Sequence, residues 1–330
     1  MDNGIAIVMP TFNKSSFLDL TLAGFARQSV REFTVVIVDD GSNDKTKDVV
    51  SDYQSLLKIN YVYQDNKGRS VARNTALKST DCRNIIFCDD DRIPNEYFVE
   101  QHLTYLKKDE NTVNIGNKKK ILARYHPELV VNNKLLAIIL KHIKETDKTI
   151  DTPFFDREDI RNRFDDIVEK FSTGSTNDNF FDVLGRHGAD LEGFYFPWML
   201  GTTANMSFRR TNIEDYLFDE RYQTWGMEDT DFSYMLSKYG FSYRWAEAAV
   251  NYHQQHPSNF MKEKENLLKN IRYFCKKYDD LECYLFANLF GIKNISRLEV
   301  NELYASLSEN HSETGNIKNT LKKLITNTLY

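Results

Sequence analysis

The sequence predicts an α/β fold in which a mostly parallel sheet is flanked by helices and followed by a helical C-terminal extension. Three observations lead there. Short aliphatic runs recur early in the chain, at Ile5-Ala6-Ile7-Val8-Met9, Val35-Val36-Ile37-Val38 and Asn84-Ile85-Ile86-Phe87-Cys88, and runs of this length and β-branched content read as buried strands. Between them lie segments of helical pattern, and such alternation implies parallel pairing through right-handed crossovers. Each run also stops at polar or acidic residues. The strands therefore deliver their carboxyl ends to one edge, where open sheets bind ligands.

The first run ends in Pro10-Thr11-Phe12-Asn13, ahead of a helical segment from Ser16 to Gln28. The second ends in Asp39-Asp40, followed by the turn residues Gly41-Ser42-Asn43-Asp44 and a helical stretch from Lys45 to Leu56. Asp40 also suits a helix N-cap or turn, which Ser42 or Asn43 would fill equally well. Next comes Gly68, opening a helical stretch that carries Arg73. Free backbone N–H groups and a guanidinium there would favour a diphosphate; a surface ion pair with Asp65 is the plain alternative. The third run ends in Asp89-Asp90-Asp91, then Arg92-Ile93-Pro94. Three adjacent carboxylates repel one another, and a hard divalent cation between Asp89 and Asp91 would relieve this while keeping part of its shell for phosphate oxygens. A solvated acidic turn is the bland alternative. The acidic end of a second strand favours the cation, in a crevice lined by Thr11, Asp40 and Asp89 to Asp91.

Further along, the lysine cluster Lys118-Lys119-Lys120 leads into polar helical segments. A Gly-, Ser- and Asn-rich loop from Phe171 to Gly188 is expected as a mobile element over the site or a simple connection. Trp225-Gly226-Met227-Glu228-Asp229 then precedes a helix patterned by Phe232, Met235, Leu236 and Tyr239. The helix dipole alone would account for Glu228, Asp229 and Asp231 at its start; the functional reading is that one carboxylate serves as general base. Trp225 offers a flat apolar face for a sugar ring, or is a core aromatic. His253 follows the aromatic stretch Phe241 to Tyr252, with His256 close behind. The C-terminal stripe Ile317, Leu321, Leu324, Ile325 and Leu329, flanked by Lys318, Lys322 and Lys323, suits packing against the chain or a second subunit more than docking on an anionic membrane.

Composition narrows the class. At 330 residues, with 41% hydrophobic and 13% aromatic content, the chain buries a substantial core. Forty-three Lys and Arg against 48 Asp and Glu give a net charge of -5, which excludes bulk attraction to nucleic acid. Cys82, Cys88, Cys275 and Cys283 lack zinc-ligand spacing and fit a reducing cytoplasm. No signal peptide is expected before the first strand. The longest aliphatic run, Leu135 to Leu140, falls well short of the roughly 20 residues of a spanning helix, so any membrane contact, at the inner face, would be peripheral. Three regions are expected: 1–115, which carries the strand–helix alternation, 116–257, which ends in the Trp225 and His253 segments, and a helical extension at 258–330.

Met9-Pro10-Thr11-Phe12-Asn13, Val38-Asp39-Asp40-Gly41-Ser42, Gly68-Arg69-Ser70-Val71-Ala72-Arg73-Asn74 and Asp89-Asp90-Asp91-Arg92-Ile93-Pro94 together resemble the family 2 nucleotide-sugar glycosyltransferases of GT-A, Rossmann-like fold. Trp225 to Phe232, followed by Asn251-Tyr252-His253-Gln254, resembles the N-terminal transfer domains of bacterial chondroitin and heparosan polymerases. The resemblance implies a UDP-sugar donor, with Pro10, Thr11 and Asp40 at the uracil, and Asp89, Asp90 and Arg73 at the ribose and phosphates. It implies Asp91 and His253 as metal ligands, His256 being the fallback, and an imidazole beside carboxylates favours Mn2+, or Mg2+, over calcium. It also implies Asp229 as base, with Glu228 holding sugar hydroxyls. The acceptor would be a glycan, lipid-linked or protein hydroxyl, with inversion expected. A retaining reaction and a catalytically silent sugar-nucleotide-binding subunit are the alternatives. Thr202 and Thr203 depart from the glycine-rich pattern of those polymerases and would narrow the pocket.

Overall fold

Alternation along the strands explains the layers, because successive strand residues face opposite sides. Ala6, Val8, Val36, Val38, Ile85 and Phe87 enter one core; Ile5, Ile7, Met9, Val35, Ile37, Ile86 and Cys88 enter the other. Each such side chain contributes about 1.5–3 kcal/mol when fully buried. The computed structural model describes residues 4–129, 133–143, 152–175, 180–210, 216–257, 260–291, 295–308 and 311–328. Ser258, Leu329 and part of the Ser172 to Asn179 stretch lie outside them.

The chain runs β1 (Ile5–Thr11), α1 (Ser15–Phe25), β2 (Thr34–Asp39), α2 (Thr46–Tyr53), β3 (Ile59–Tyr63), α3 (Arg69–Lys78), β4 (Asn84–Cys88), β5 (Arg92–Pro94), α4 (Phe98–Leu106) and β6 (Thr112–Ile121). It continues through α5 (Asn133–Ile143), α6 (Arg157–Phe171), β7 (Ser172–Ser175), α7 (Phe181–His187), a 3-10 turn (Pro197–Leu200), β8 (Asn205–Arg209), α8 (Glu228–Lys238) and β9 (Ser242–Gln254). The last helices are α9 (Phe260–Tyr278), α10 (Leu281–Gly291), α11 (Arg297–Ser308) and α12 (His311–Thr328). The sheet order is β3-β2-β1-β4-β8-β6-β9-β5, with β7 beside β6. β3, β2, β1 and β4 are parallel, as is the long β6–β9 ladder; β8 runs antiparallel to β4 and β6 and joins the two parallel sets. β6 carries the sheet through position 115, so the two halves share one sheet.

Among the described residues of the stretch from Phe171 to Gly188, Ser172–Ser175 form β7 and Phe181–His187 form α7 where its composition suggests a loop. β7 pairs with Lys119 to Ile121 of β6, and α7 buries Val183. Sheet pairing and core burial override the local Gly and Ser content.

The C-terminal helices pack on the α/β part. Trp198 meets Tyr234 of α8 at 4.7 Å and Phe286 of α10 at 5.0 Å between ring centroids. Leu321 and Ile325 of α12 turn into the same core, while Lys318 and Lys322 pair with Asp279 at 3.2 and 2.9 Å. Leu321 and Ile325 of the apolar stripe are thus used for packing within the chain, while Leu324 stays exposed. Among the described residues, no helix is long and apolar enough to cross a membrane.

A buried polar knot fixes α4, β6, β8 and β9. Asn205 donates to the Ala249 carbonyl at 2.9 Å and the Asn117 carbonyl at 3.1 Å. Its Oδ1 accepts from His102 Nε2 at 2.8 Å, which leaves His102 Nδ1 to accept from Ser207 at 2.8 Å. A Cβ on Gly116 would fall 1.9 Å from Asn205 Oδ1, so only glycine fits there. Burial pushes the His102 pKa down to about 4. The unfolded imidazole takes its proton near 6.5 and the folded one resists until about 4, so stability present above 6.5 is lost as the pH falls through that window. The loss amounts to roughly 3 kcal/mol. Urea midpoints at pH 7 and pH 4.5 should fall further apart for the wild type than for His102→Gln.

Candidate active site

The ends of β1 and β2 are stitched into one rim. Asn13 N–H donates to Ser42 Oγ at 2.9 Å, and Asn13 Oδ1 accepts from Asn43 N–H at 2.8 Å. Pro10 and Thr11 lie on β1 opposite Val38 and Asp39. Asp40 is buried and accepts from Gln64 Nε2 at 2.6 Å, Lys67 N–H at 2.9 Å and Gly68 N–H at 2.8 Å. It therefore fastens the loop ahead of α3, where Gly68 adopts φ of +92°, a left-handed conformation cheap only for glycine. A carboxylate has about four lone-pair sites, so one remains for a ligand donor.

The β5–β9 pairing sets Arg92 opposite His253, which brings Asp91 beside that histidine. Asp91 Oδ2 lies 3.7 Å from His253 Nε2 and 3.3 Å from His256 Nε2. One ligand atom from each of the three lies within 4.8 Å of the others. Phe17 holds the His256 ring edge-on at 5.7 Å. Burial would raise the Asp91 carboxyl pKa, but Lys14 and His253 outweigh it and hold the group well below the usual range. Burial lowers the His253 pKa. An ionised carboxylate and a neutral imidazole are the forms a metal binds, so Asp91 and His253 fit a divalent transition ion, whereas the hydrogen bond to Asp91 raises the His256 pKa. Asp90 is buried behind it, its pKa pushed up to about 6 by burial.

Arg73 links this centre to α8. It is buried and reaches Asp89 at 3.3 Å and Glu228 at 3.5 Å, rather than forming a surface pair with Asp65. Burial would lower the guanidinium pKa; Asp89, Asp229 and Glu228 outweigh it. Glu228 is itself buried, its pKa raised by burial and then by Asp229, and its Oε2 accepts from Gly226 N–H at 3.0 Å. Met227, between them, sits at φ of +79°. Such strain in a non-glycine residue costs on the order of 1–3 kcal/mol and here aims the first turn of α8. Asp229 is half-buried, 3.5 Å from Thr203 Oγ1. Trp225 leaves 43% of its surface exposed beside this turn. Asp231, by contrast, is buried on Lys277 at 2.7 Å and Tyr222 at 3.2 Å, which locks α8 to α9.

Two basic groups at the centre escaped the sequence reading. Lys14 places its ammonium 2.5 Å from Asp91 and 3.6 Å from Asp90. Lys118, on β6, is buried and donates to Thr202 Oγ1 at 2.8 Å, with its pKa pushed down to about 7 by burial. Asp229 and Asp89 are among the charges that partly offset that fall. The basic residue directly after Asn13 was a visible signal for Lys14. Nothing separated Lys118 from its two lysine neighbours except the alternation of β6, which the cluster's polarity disguised.

Comparisons with known proteins bear on the family and the fold. A family model, "Glycosyl transferase family 2", matches residues 6–182. The chain is 29% identical over 285 residues to the uncharacterized glycosyltransferase YfnE of Bacillus subtilis, covering 84% of this chain and 71% of that protein. It is 27% identical over 321 residues to a chondroitin synthase of Escherichia coli, covering 85% of this chain but only 40% of that synthase. Among solved structures, S. aureus TarS 1-349 in complex with UDP-GlcNAc superposes with a TM-score of 0.54 at 16% identity, over 87% of this chain and 71% of that one. Mannosyltransferase PcManGT of Pyrobaculum calidifontis, in complex with GDP-Man and Mn2+, gives 0.57 at 14% identity, over 98% and 84%. These likenesses place the fold among GT-A glycosyltransferases. Sequence motifs, sheet topology and family match converge on one assignment: the chain belongs to glycosyl transferase family 2 and is a glycosyltransferase.

Proposed function

We propose that this glycosyltransferase moves a hexose or N-acetylhexosamine from a UDP-sugar to a hydroxyl of a glycan, lipid-linked or protein acceptor, with inversion and with a divalent cation. The observation that carries the reading is the meeting of Asp91, His253 and His256 within 4.8 Å, next to the Arg73-bridged carboxylates. The UDP-GlcNAc and Mn2+ of the two solved glycosyltransferases support the donor and metal classes.

Pro10, Thr11 and Asp40 would border the uracil, whose ring N–H is a donor matched to a carboxylate. Asp89, half-exposed at the strand end, would face the ribose or cation-bound water, with Asp90 behind it. A divalent cation held by Asp91, His253 and His256 would neutralise charge on the departing diphosphate. Arg73, kept charged by its carboxylate neighbours, adds a fixed positive group on the same side. Asp229 takes the proton of the acceptor hydroxyl as its oxygen attacks the anomeric carbon and the bond to the diphosphate oxygen breaks. Trp225 would support a sugar face, and Glu228 holds the turn that presents Asp229.

A panel of UDP-sugars, each assayed for UDP release with Mn2+ and again after chelation, tests the reading. Release from at least one donor, lost on chelation and regained with Mn2+, is expected. Turnover undiminished by chelator would overturn it.

A further inference from the structure

Lys14 has an unusual position. Its carbonyl accepts from Phe17 N–H at 3.0 Å and Leu18 N–H at 2.9 Å, so its backbone is pinned at the start of α1. Asn13 before it adopts φ of +52° and is tied to Ser42 and Asn43. Only the side chain is left to move. Its stem passes Phe17, the ammonium lying 5.9 Å from the ring centroid, and its head lies 2.5 Å from Asp91 Oδ2, the oxygen nearest both imidazoles. An ammonium and a divalent cation cannot share that oxygen without strong repulsion in a largely buried site.

We propose that Lys14 is a tethered counter-ion that pairs with Asp91 in place of a cation and swings off it when a metal enters. The inference rests on the cation reading above. Without nucleotide, the incoming metal must displace a charge already paired with its chief carboxylate. With nucleotide present, the diphosphate would offer the displaced ammonium a new anionic partner. Metal and nucleotide therefore bind cooperatively, and free metal alone binds poorly. Removing the ammonium should also destabilise the metal-free protein, because Asp90 and Asp91 then face each other without a counter-charge.

Mn2+ itself is the probe. Binding to the full chain, followed by the loss of the free Mn2+ electron paramagnetic resonance signal, is compared for wild type, Lys14→Gln, Lys14→Met and Lys14→Arg, with and without UDP. Without UDP, the Gln and Met variants should bind Mn2+ at least about tenfold more tightly than wild type, and the Arg variant should resemble wild type. UDP should tighten Mn2+ binding more in wild type than in Lys14→Met. The melting temperature of Lys14→Met should be lower without metal and should rise more on adding Mn2+. If Lys14→Met binds Mn2+ no better than wild type while UDP still recruits the metal, the counter-ion role fails and the transferase reading stands. If no variant takes up Mn2+ with or without UDP, both fall.

Discussion

Asp229→Asn should abolish sugar transfer while leaving UDP and Mn2+ binding in place. The half-buried carboxylate lies at the first turn of α8 and is not part of the Asp91, His253 and His256 cluster, so its amide keeps the shape and removes only the ability to accept a proton. Loss of a general base is worth about 10²–10⁴ in rate. The measurement is UDP release in the presence of acceptor, alongside calorimetric UDP affinity. Full activity would remove Asp229 from the reaction, and a parallel loss of UDP affinity would make it a binding residue instead. Thr203, whose hydroxyl lies 3.5 Å from the same carboxylate, should have a smaller effect when changed to Val, because it orients the base without carrying the proton.

Asp91→Asn should fail differently. Asp91 is the oxygen donor common to His253, His256 and Lys14, and it is ionised because those neighbours overcome its burial. The amide should weaken Mn2+ binding by at least about a hundredfold, above the 10- to 100-fold typical of losing a group that only supports a ligand. Transfer should fall with it, and saturating UDP-sugar should not restore it. Titrating Mn2+ into each variant separates the two: Asp229→Asn saturates as wild type does, and Asp91→Asn does not. Equal Mn2+ affinity in both would place the metal elsewhere.

Much of this arrangement was legible in the chain. The strands β1, β2 and β4 were readable because every second residue meets a different core, and a short run that is apolar on both faces has few other uses. The acidic ends of β2 and β4 were readable because sheet geometry puts them on one edge. The pairing of His253 with Asp91 needed more: β5 is only three residues long, and its antiparallel register with β9 is a long-range fact that local pattern does not carry. The same holds for Asp40, whose partners lie on the loop before α3 and not in its own turn. Lys14 and Lys118 were missed because a lysine is by default solvated, and only the assembled sheet buries one and folds the other over Asp91. Ser172–Ser175 and Phe181–His187 misled by composition, since β7 takes its order from β6 and α7 from the core.

The helix that begins with Glu228 and Asp229 is backed on its far side by Trp198, Phe274 and Phe286, and it is latched to α9 through Asp231 and Lys277. The C-terminal helices are consequently a buttress for α8 and not an appendage to the α/β part. A chain cut after β9 would bare a cluster of aromatic rings and leave Asp229 on an unsupported helix.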